Sequence, residues 1–182
     1  MIKLHLGCGK RNFGDSWIHI DQAEFDHIKY KSVTLLEFEN STVDLIYTAH
    51  MFEYFDREVG DKVLLEWFRV LKPGGILRIA VPDFGAMIDL YNTGEYKLDD
   101  FLGPLFGKMQ QNDNVIYHKT TYDFTSLQLL LEKCGFQNVH RYDWKDTEHA
   151  HIDDHSQAYL PHMDKENGTL ISLNIECNKF GE

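Results

Sequence analysis

The chain begins with a short apolar strand pattern, Lys3 to Leu6, that runs straight into Gly7-Cys8-Gly9. A buried strand ending in such a turn exposes backbone at one end of a sheet. With no Cβ in the way, a ligand can approach that backbone closely. A second strand pattern, Trp17 to Ile20, ends at Asp21. Only eleven residues separate Gly9 from Asp21, so Lys10 to Ser16 is expected as a loop or a single turn. A carboxylate at the tip of the second strand can accept from two adjacent hydroxyls, which suits a ribose. Asn12 stands where a third glycine would complete Gly-x-Gly-x-x-Gly, and no Gly-Lys-Ser/Thr follows. A pyrophosphate ligand is therefore served less well than a nucleoside without phosphates.

The remaining pattern alternates strands with helices. Strands are expected over Ser32 to Leu36, Val43 to Thr48, Ile76 to Val81, Asn138 to Trp144 and Thr169 to Cys177. The best helix is Asp56 to Leu71, with Val59, Val63, Leu64, Trp67, Val70 and Leu71 on one face. Asp56 is its N-cap, and Lys72-Pro73-Gly74-Gly75 its stop. Further helices are expected over Phe84 to Asn92 and Phe124 to Cys134, and over Leu98 to Met109 with a break at Gly103-Pro104. Such alternation implies an α/β fold with a doubly wound, mostly parallel sheet. The last two strands have only a polar loop between them, so the last strand is expected to be antiparallel. A length of 182 residues fits a single domain over 1–182.

The formal charge of −11 arises from 29 acidic and 18 basic residues, with no Lys/Arg cluster. That argues against a nucleic-acid partner, which would call for a basic patch. No apolar run approaches the roughly 20 residues of a membrane helix, and the N-terminus lacks a signal-peptide pattern. Cys8, Cys134 and Cys177 are odd in number and match no zinc or disulfide spacing. A cytoplasmic protein acting on a small-molecule acceptor, with no nucleic acid and no membrane, is the expectation. The oligomeric state is left open.

Three segments together, HLGCGK, VDLIYTAHMFEYF and EWFRVLKPGGILRIAVPD, resemble the class I S-adenosylmethionine-dependent methyltransferases over roughly residues 1 to 95. The C-terminal segments YHKTTYDF and YDWKDTEHAHIDDHSQAYLPHMDKENGTLISLNIE are similar to those of the short, type-11-like bacterial and viral members. The resemblance implies a Rossmann-like fold with a shortened first helix and S-adenosyl-L-methionine as cofactor. It places Leu6, Gly7, Cys8 and Gly9 at the methionine part and Asp21 at the ribose. It sets Asp44 near the start of the fourth strand and His50 after its end, facing cofactor and acceptor. Leu35 and Leu36, with Glu37, are candidates for the adenine pocket. Members often occur beside genes for surface-sugar synthesis, which suggests a sugar or a surface-polysaccharide precursor as acceptor.

Methyl transfer is an in-line displacement at a carbon already activated by a sulfonium. The protein must align the groups and exclude water. A hydroxyl acceptor also needs a base. His50, His118 and Tyr122 are the catalytic candidates. Phe52, Glu53 and Tyr54 either shape the methionine pocket or simply begin the next segment. His118 and Tyr122 precede a strong helix, where a substrate lid would sit, and Asp123 caps that helix. His149, His151, Asp153, Asp154 and His155 could in principle hold a metal. A polar loop without metal is the preferred reading, with His149, His151 and Asp154 as substrate contacts. Methylation of a nitrogen or a phosphate-type oxygen, a nucleotide-binding oxidoreductase and a non-catalytic scaffold are the alternatives. The absent third glycine weighs against the oxidoreductase.

Overall fold

The computed structural model describes residues 1–111 and 114–181. The strands are β1 (Lys3–Leu6), β2 (Ile18–Ile20), β3 (Ile28–Tyr30), β4 (Val43–Ala49), β5 (Leu71–Pro82), β6 (Met109–Gln111), β7 (Asn114–Ile116), β8 (Phe136–Arg141), β9 (Tyr159–Leu160), β10 (Thr169–Leu170) and β11 (Ser172–Lys179). The α-helices are α1 (Arg57–Val70), α2 (Phe84–Asn92), α3 (Leu98–Phe106) and α4 (Phe124–Lys133). One seven-stranded sheet has the order β3-β2-β1-β4-β5-β11-β8, and β6-β7 and β9-β10 form two small ribbons. β1 to β5 pair in parallel. β11 runs antiparallel to both β5 and β8. The expected doubly wound, mostly parallel sheet with an antiparallel last strand is what forms, and no helix lies between β1 and β2.

Several boundaries differ from the sequence pattern. The third strand is Ile28–Tyr30 rather than Ser32 to Leu36. The Asp21 N–H donates to the Tyr30 carbonyl at 3.1 Å, which keeps that segment in the sheet. Ser32 Oγ then accepts from the Leu35 N–H at 3.0 Å and bends the chain away. Lys72-Pro73-Gly74-Gly75 lies inside β5, which begins immediately after α1. A register shift between Val43 and Leu45 absorbs the extra residues, and Gly74 takes φ 76° there. α3 passes through Pro104 and ends at Phe106. The proline sits in the last turn, where only one helical hydrogen bond is forfeited. β8 starts at Phe136 and stops at Arg141, so Trp144 falls in a 3-10 turn instead of the strand. Thr169-Leu170 separates from β11 to pair with β9.

Strand alternation gives the sheet two unlike faces. On one, Leu4, Leu6, Ile46, Leu77, Ile79 and Ile175 join Leu64 and Trp67 of α1 and Leu127 and Leu131 of α4 in the main core. On the other, the register aligns His19, His5, Tyr47, Arg78, Glu176 and His140 in one row across six strands. Loop residues cover much of that row. Phe13 stacks on His5 at 4.0 Å and on His149 at 4.1 Å. Tyr47 donates its hydroxyl to Asp154 Oδ2 at 2.5 Å, and Arg78 donates to Glu176 Oε2 at 2.6 Å.

Candidate active site

The chain leaves β1 toward β2 on one side, while β4 pairs with β1 on the other. At such a reversal the loops diverge and a crevice opens at the carboxyl ends of the strands. A cleft of about 1580 Å³ lies there, bordered by Gly7 and Gly9 after β1, Asp21 after β2, and Ala49, His50 and Met51 at the end of β4. Single small-molecule sites usually run to roughly 300–1,000 Å³. This one has room for two ligands side by side.

The first half of the cleft suits a nucleoside. Gly7 and Gly9 have φ 67° and 52°, in the left-handed region. The Gly7 N–H donates to the Ile20 carbonyl at 2.9 Å. The Gly9 N–H donates to Asp21 Oδ2 at 2.7 Å, so glycine turn and carboxylate share one edge. Asp21 Oδ1 accepts from the Ala23 N–H at 2.8 Å. A carboxylate has about four acceptor positions, so about two remain for ribose hydroxyls. A Cβ on Gly9 would meet no protein atom within 4 Å, which means the cradle beside it is open. These residues fit an adenosyl group.

Ser32, Val33 and Thr34 border this half. Leu35 and Leu36, the adenine-pocket candidates, do not: Leu35 is 70% exposed, Leu36 packs in the core, and neither borders the cleft. The bend at Ser32 turns its neighbours inward instead. Glu37 is exposed. Leu6 and Cys8 are buried beneath the turn and also miss the cleft. Burial pushes the Cys8 thiol up to about 12, so it is not a nucleophile.

The second half carries the histidines. His50, His118, His155 and His162 border it, together with Tyr54, Tyr96, Tyr117 and Tyr159. His50 has φ 50°, costly for a residue with a side chain, and its N–H is anchored on the Ala80 carbonyl at 2.8 Å. Its Nε2 lies 2.9 Å from Ser172 Oγ. His118 Nδ1 lies 3.1 Å from the Pro104 carbonyl. The His118 ring rests on Gly107, where any Cβ would collide with it. Burial lowers both histidines below the ordinary range, so each is a neutral imidazole at pH 7.

Beside the two rings sits Glu53, fully buried. Its Oε1 is 3.8 Å from His50 Nδ1 and 3.6 Å from His118 Nε2, and neither carboxyl oxygen has a hydrogen-bond partner among the described residues. Burial raises this carboxyl to about 8. From sequence, Glu53 either shapes the methionine pocket or simply begins the next segment, with no catalytic role. The available signal was its spacing three residues after His50, which the 3-10 turn Phe52–Tyr54 converts into proximity.

Other candidates lie elsewhere. Tyr122 stacks on Phe52 at 5.7 Å in the core and does not border the cleft. Asp123 caps α4, accepting from the Ser126 N–H at 2.8 Å. His149 is buried against Phe13, on the polar face. His151 is exposed. Asp154 is buried and accepts from Tyr47, the Ser156 N–H and the Ser156 hydroxyl, so its acceptor positions serve the fold. From this segment His155 alone of the named cluster reaches the cleft, 5.4 Å from His50 between ring centres. Among the described residues no group of His, Cys, Asp and Glu is arranged to hold a metal ion.

Residues 14–79 match the family model described as "Methyltransferase domain". The strand order and the cleft at its reversal are those of the Rossmann-like methyltransferase fold. Over residues 14–79 the chain is similar to methyltransferase domains. Solved structures repeat the fold. A SAM-dependent methyltransferase from Methanosarcina mazei is 18% identical with a TM-score of 0.61, covering 99% of this chain and 92% of its own. One from Archaeoglobus fulgidus is 16% identical with a TM-score of 0.58, covering 97% of this chain and 85% of its own. The Burkholderia thailandensis 1,6-didemethyltoxoflavin-N1-methyltransferase, solved with S-adenosylhomocysteine, is 11% identical with a TM-score of 0.55, covering 98% and 71%. No curated protein matches the chain by sequence. Among its described residues no helix is long and apolar enough to cross a membrane.

Proposed function

We propose that this methyltransferase moves the methyl group of S-adenosylmethionine onto a hydroxyl of a small acceptor, a sugar or surface-polysaccharide precursor, and that residues 1–182 act as one domain. One observation carries the reading: a single cleft joins the Gly7–Gly9–Asp21 edge to the half bordered by His50 and His118. The glycine turn would hold the methionyl part, Asp21 the ribose, and Ser32 to Thr34 the adenine. When bound there, the cofactor supplies a methyl carbon made electrophilic by its sulfonium.

The chain's own residues supply the rest. His50 and His118, kept neutral by burial, are available to take a hydroxyl proton. Tyr54, Tyr96, Tyr117 and Tyr159 offer flat faces and phenolic groups, a lining suited to a hydroxyl-rich ring. The walls limit water around the reacting atoms. Tyr122, His149, His151 and Asp154 are assigned no direct role in this account.

Calorimetry tests the cofactor half. S-adenosylmethionine is expected to bind and NAD not to. Asp21→Ala should weaken binding by about 1–3 kcal/mol, the scale of lost charge-assisted hydrogen bonds. Binding of NAD in preference, or unchanged affinity in Asp21→Ala, would remove the assignment. Methyl-transfer assays on nucleotide sugars against amines then test the acceptor class. Transfer to amines alone would overturn the hydroxyl reading.

A further inference from the structure

Resting on that reading, we propose that Glu53 is a positioning residue that governs the two histidines: its ionised carboxylate supports one of them as proton acceptor, and its protonated form holds that histidine back. The argument is a proton inventory. A carbonyl only accepts, so the contact of His118 Nδ1 with Pro104 places a proton on Nδ1 and leaves Nε2 bare. Asn174 Nδ2 donates to the Ser156 carbonyl at 2.8 Å, which fixes the amide. Its Oδ1 then takes the Ser172 hydroxyl proton at 2.9 Å. Ser172 Oγ must therefore accept from His50 Nε2–H, which leaves His50 Nδ1 bare.

The two bare nitrogens are the ones nearest Glu53 Oε1, at 3.6 Å and 3.8 Å. Three electron-pair donors thus meet in a buried space. Among the described residues no side chain hydrogen-bonds the carboxyl. The Lys119 and Thr120 N–H groups donate to the Glu53 main-chain carbonyl at 2.9 Å and 3.2 Å, leaving the side chain alone. The other titratable groups nearby are Tyr54, on the same turn, and Tyr122, before α4. His155, His118 and Arg11 act electrostatically on His50. The cluster is relieved by one proton, and the carboxyl is the group that holds it at rest.

In the reaction, a bare histidine nitrogen takes the acceptor's hydroxyl proton. The acceptor oxygen bonds to the methyl carbon, and the electron pair of the broken C–S bond goes to sulfur. The new imidazolium is stabilised if Glu53 is already a carboxylate. A protonated Glu53 offers it no opposite charge. Turnover should therefore rise with pH as Glu53 ionises.

The test combines a pH profile with a measurement on the ligand-free protein. In the wild type, kcat should climb through a transition near 8, where Glu53 titrates. Glu53→Gln should lower kcat by about 10- to 100-fold, the lower reach of general-base effects, and abolish that limb. KM should change little by comparison. Glu53→Asp should restore part of the rate and move the limb. In the absence of ligands, the ring carbon NMR shifts of His50 and His118 should step at the same pH in the wild type and not in Glu53→Gln. If Glu53→Gln does not fold, a displaced step in Glu53→Asp serves instead. An unchanged profile, or histidine shifts indifferent to residue 53, would overturn the proposal. The NMR arm needs no acceptor, so a wrong acceptor class and a wrong role for Glu53 give different results.

Discussion

On one face of the sheet, Leu4, Leu6, Ile46, Leu77 and Ile79 pack against α1 and α4. On the other, His5, His19, Tyr47, Arg78 and Glu176 lie beneath loops that bring Phe13, Trp17 and His149 down onto part of them. The first face is close-packed hydrocarbon whose stability is insensitive to pH. The second is an aromatic and imidazole layer, in which His149 leaves both ring nitrogens, and His5 its Nδ1, without a hydrogen-bond partner among the described residues. The difference follows from the missing helix between β1 and β2. The loop between β1 and β2 forms no helix to cover the strands, and flat rings stack over them instead.

Truncating the first face should have the largest effect. Trp67 is fully buried and donates its indole N–H to the Val33 carbonyl at 2.8 Å. Trp67→Ala should cost about 3–5 kcal/mol in urea denaturation. A loss below about 1 kcal/mol would mean that α1 does not hold this face.

Acid should attack the second face. Burial lowers His19 and His149 to about 4, against an ordinary value near 6.5, and holds His5 well below that ordinary value too. The unfolded chain therefore takes up these protons first. The stability they contribute is complete above about 6.5 and is lost as pH falls toward 4. Unfolding free energy measured from pH 7 to 4.5 should drop by a few kcal/mol, on the order of 1–3 per histidine. His149→Phe keeps a ring beside Phe13 and removes the orphan nitrogens. It should flatten that slope and leave stability at pH 7 equal or higher by about 1–2 kcal/mol. An unaltered slope would show that His149 is not part of the acid-sensitive layer.

Smaller still, Tyr47→Phe removes the donor to Asp154 and should cost about 1–2 kcal/mol, because a buried carboxylate loses a partner. Gly107→Ala sharpens the contrast between fold and function. The added Cβ would strike the His118 ring, so kcat should fall at least severalfold while calorimetric affinity for S-adenosylhomocysteine stays within about twofold.

The sequence made the apolar face legible, because Val63, Leu64, Trp67 and Val70 recur at helical spacing and β4 and β5 are apolar runs. Gly7, Gly9 and Asp21 were legible too, since local turn chemistry alone ties them together. The polar face was not. His5, Tyr47 and Arg78 become neighbours only through strand register, and His149 meets them from 144 residues away along the chain from His5. For the same reason, the cluster from His149 to His155 looked like one polar loop, whereas the fold sends His149 to the polar face and His155 to the cleft. Glu53 was hidden because burial, rather than residue type, raises its carboxyl.

A crystal structure with S-adenosylhomocysteine bound is the most direct measurement of the central arrangement. The account predicts both ribose hydroxyls on the Asp21 carboxylate and the sulfur aimed at the half that holds His50 and His118. An adenosyl group lying among the histidines, or bound away from the Gly7–Gly9 turn, would contradict it.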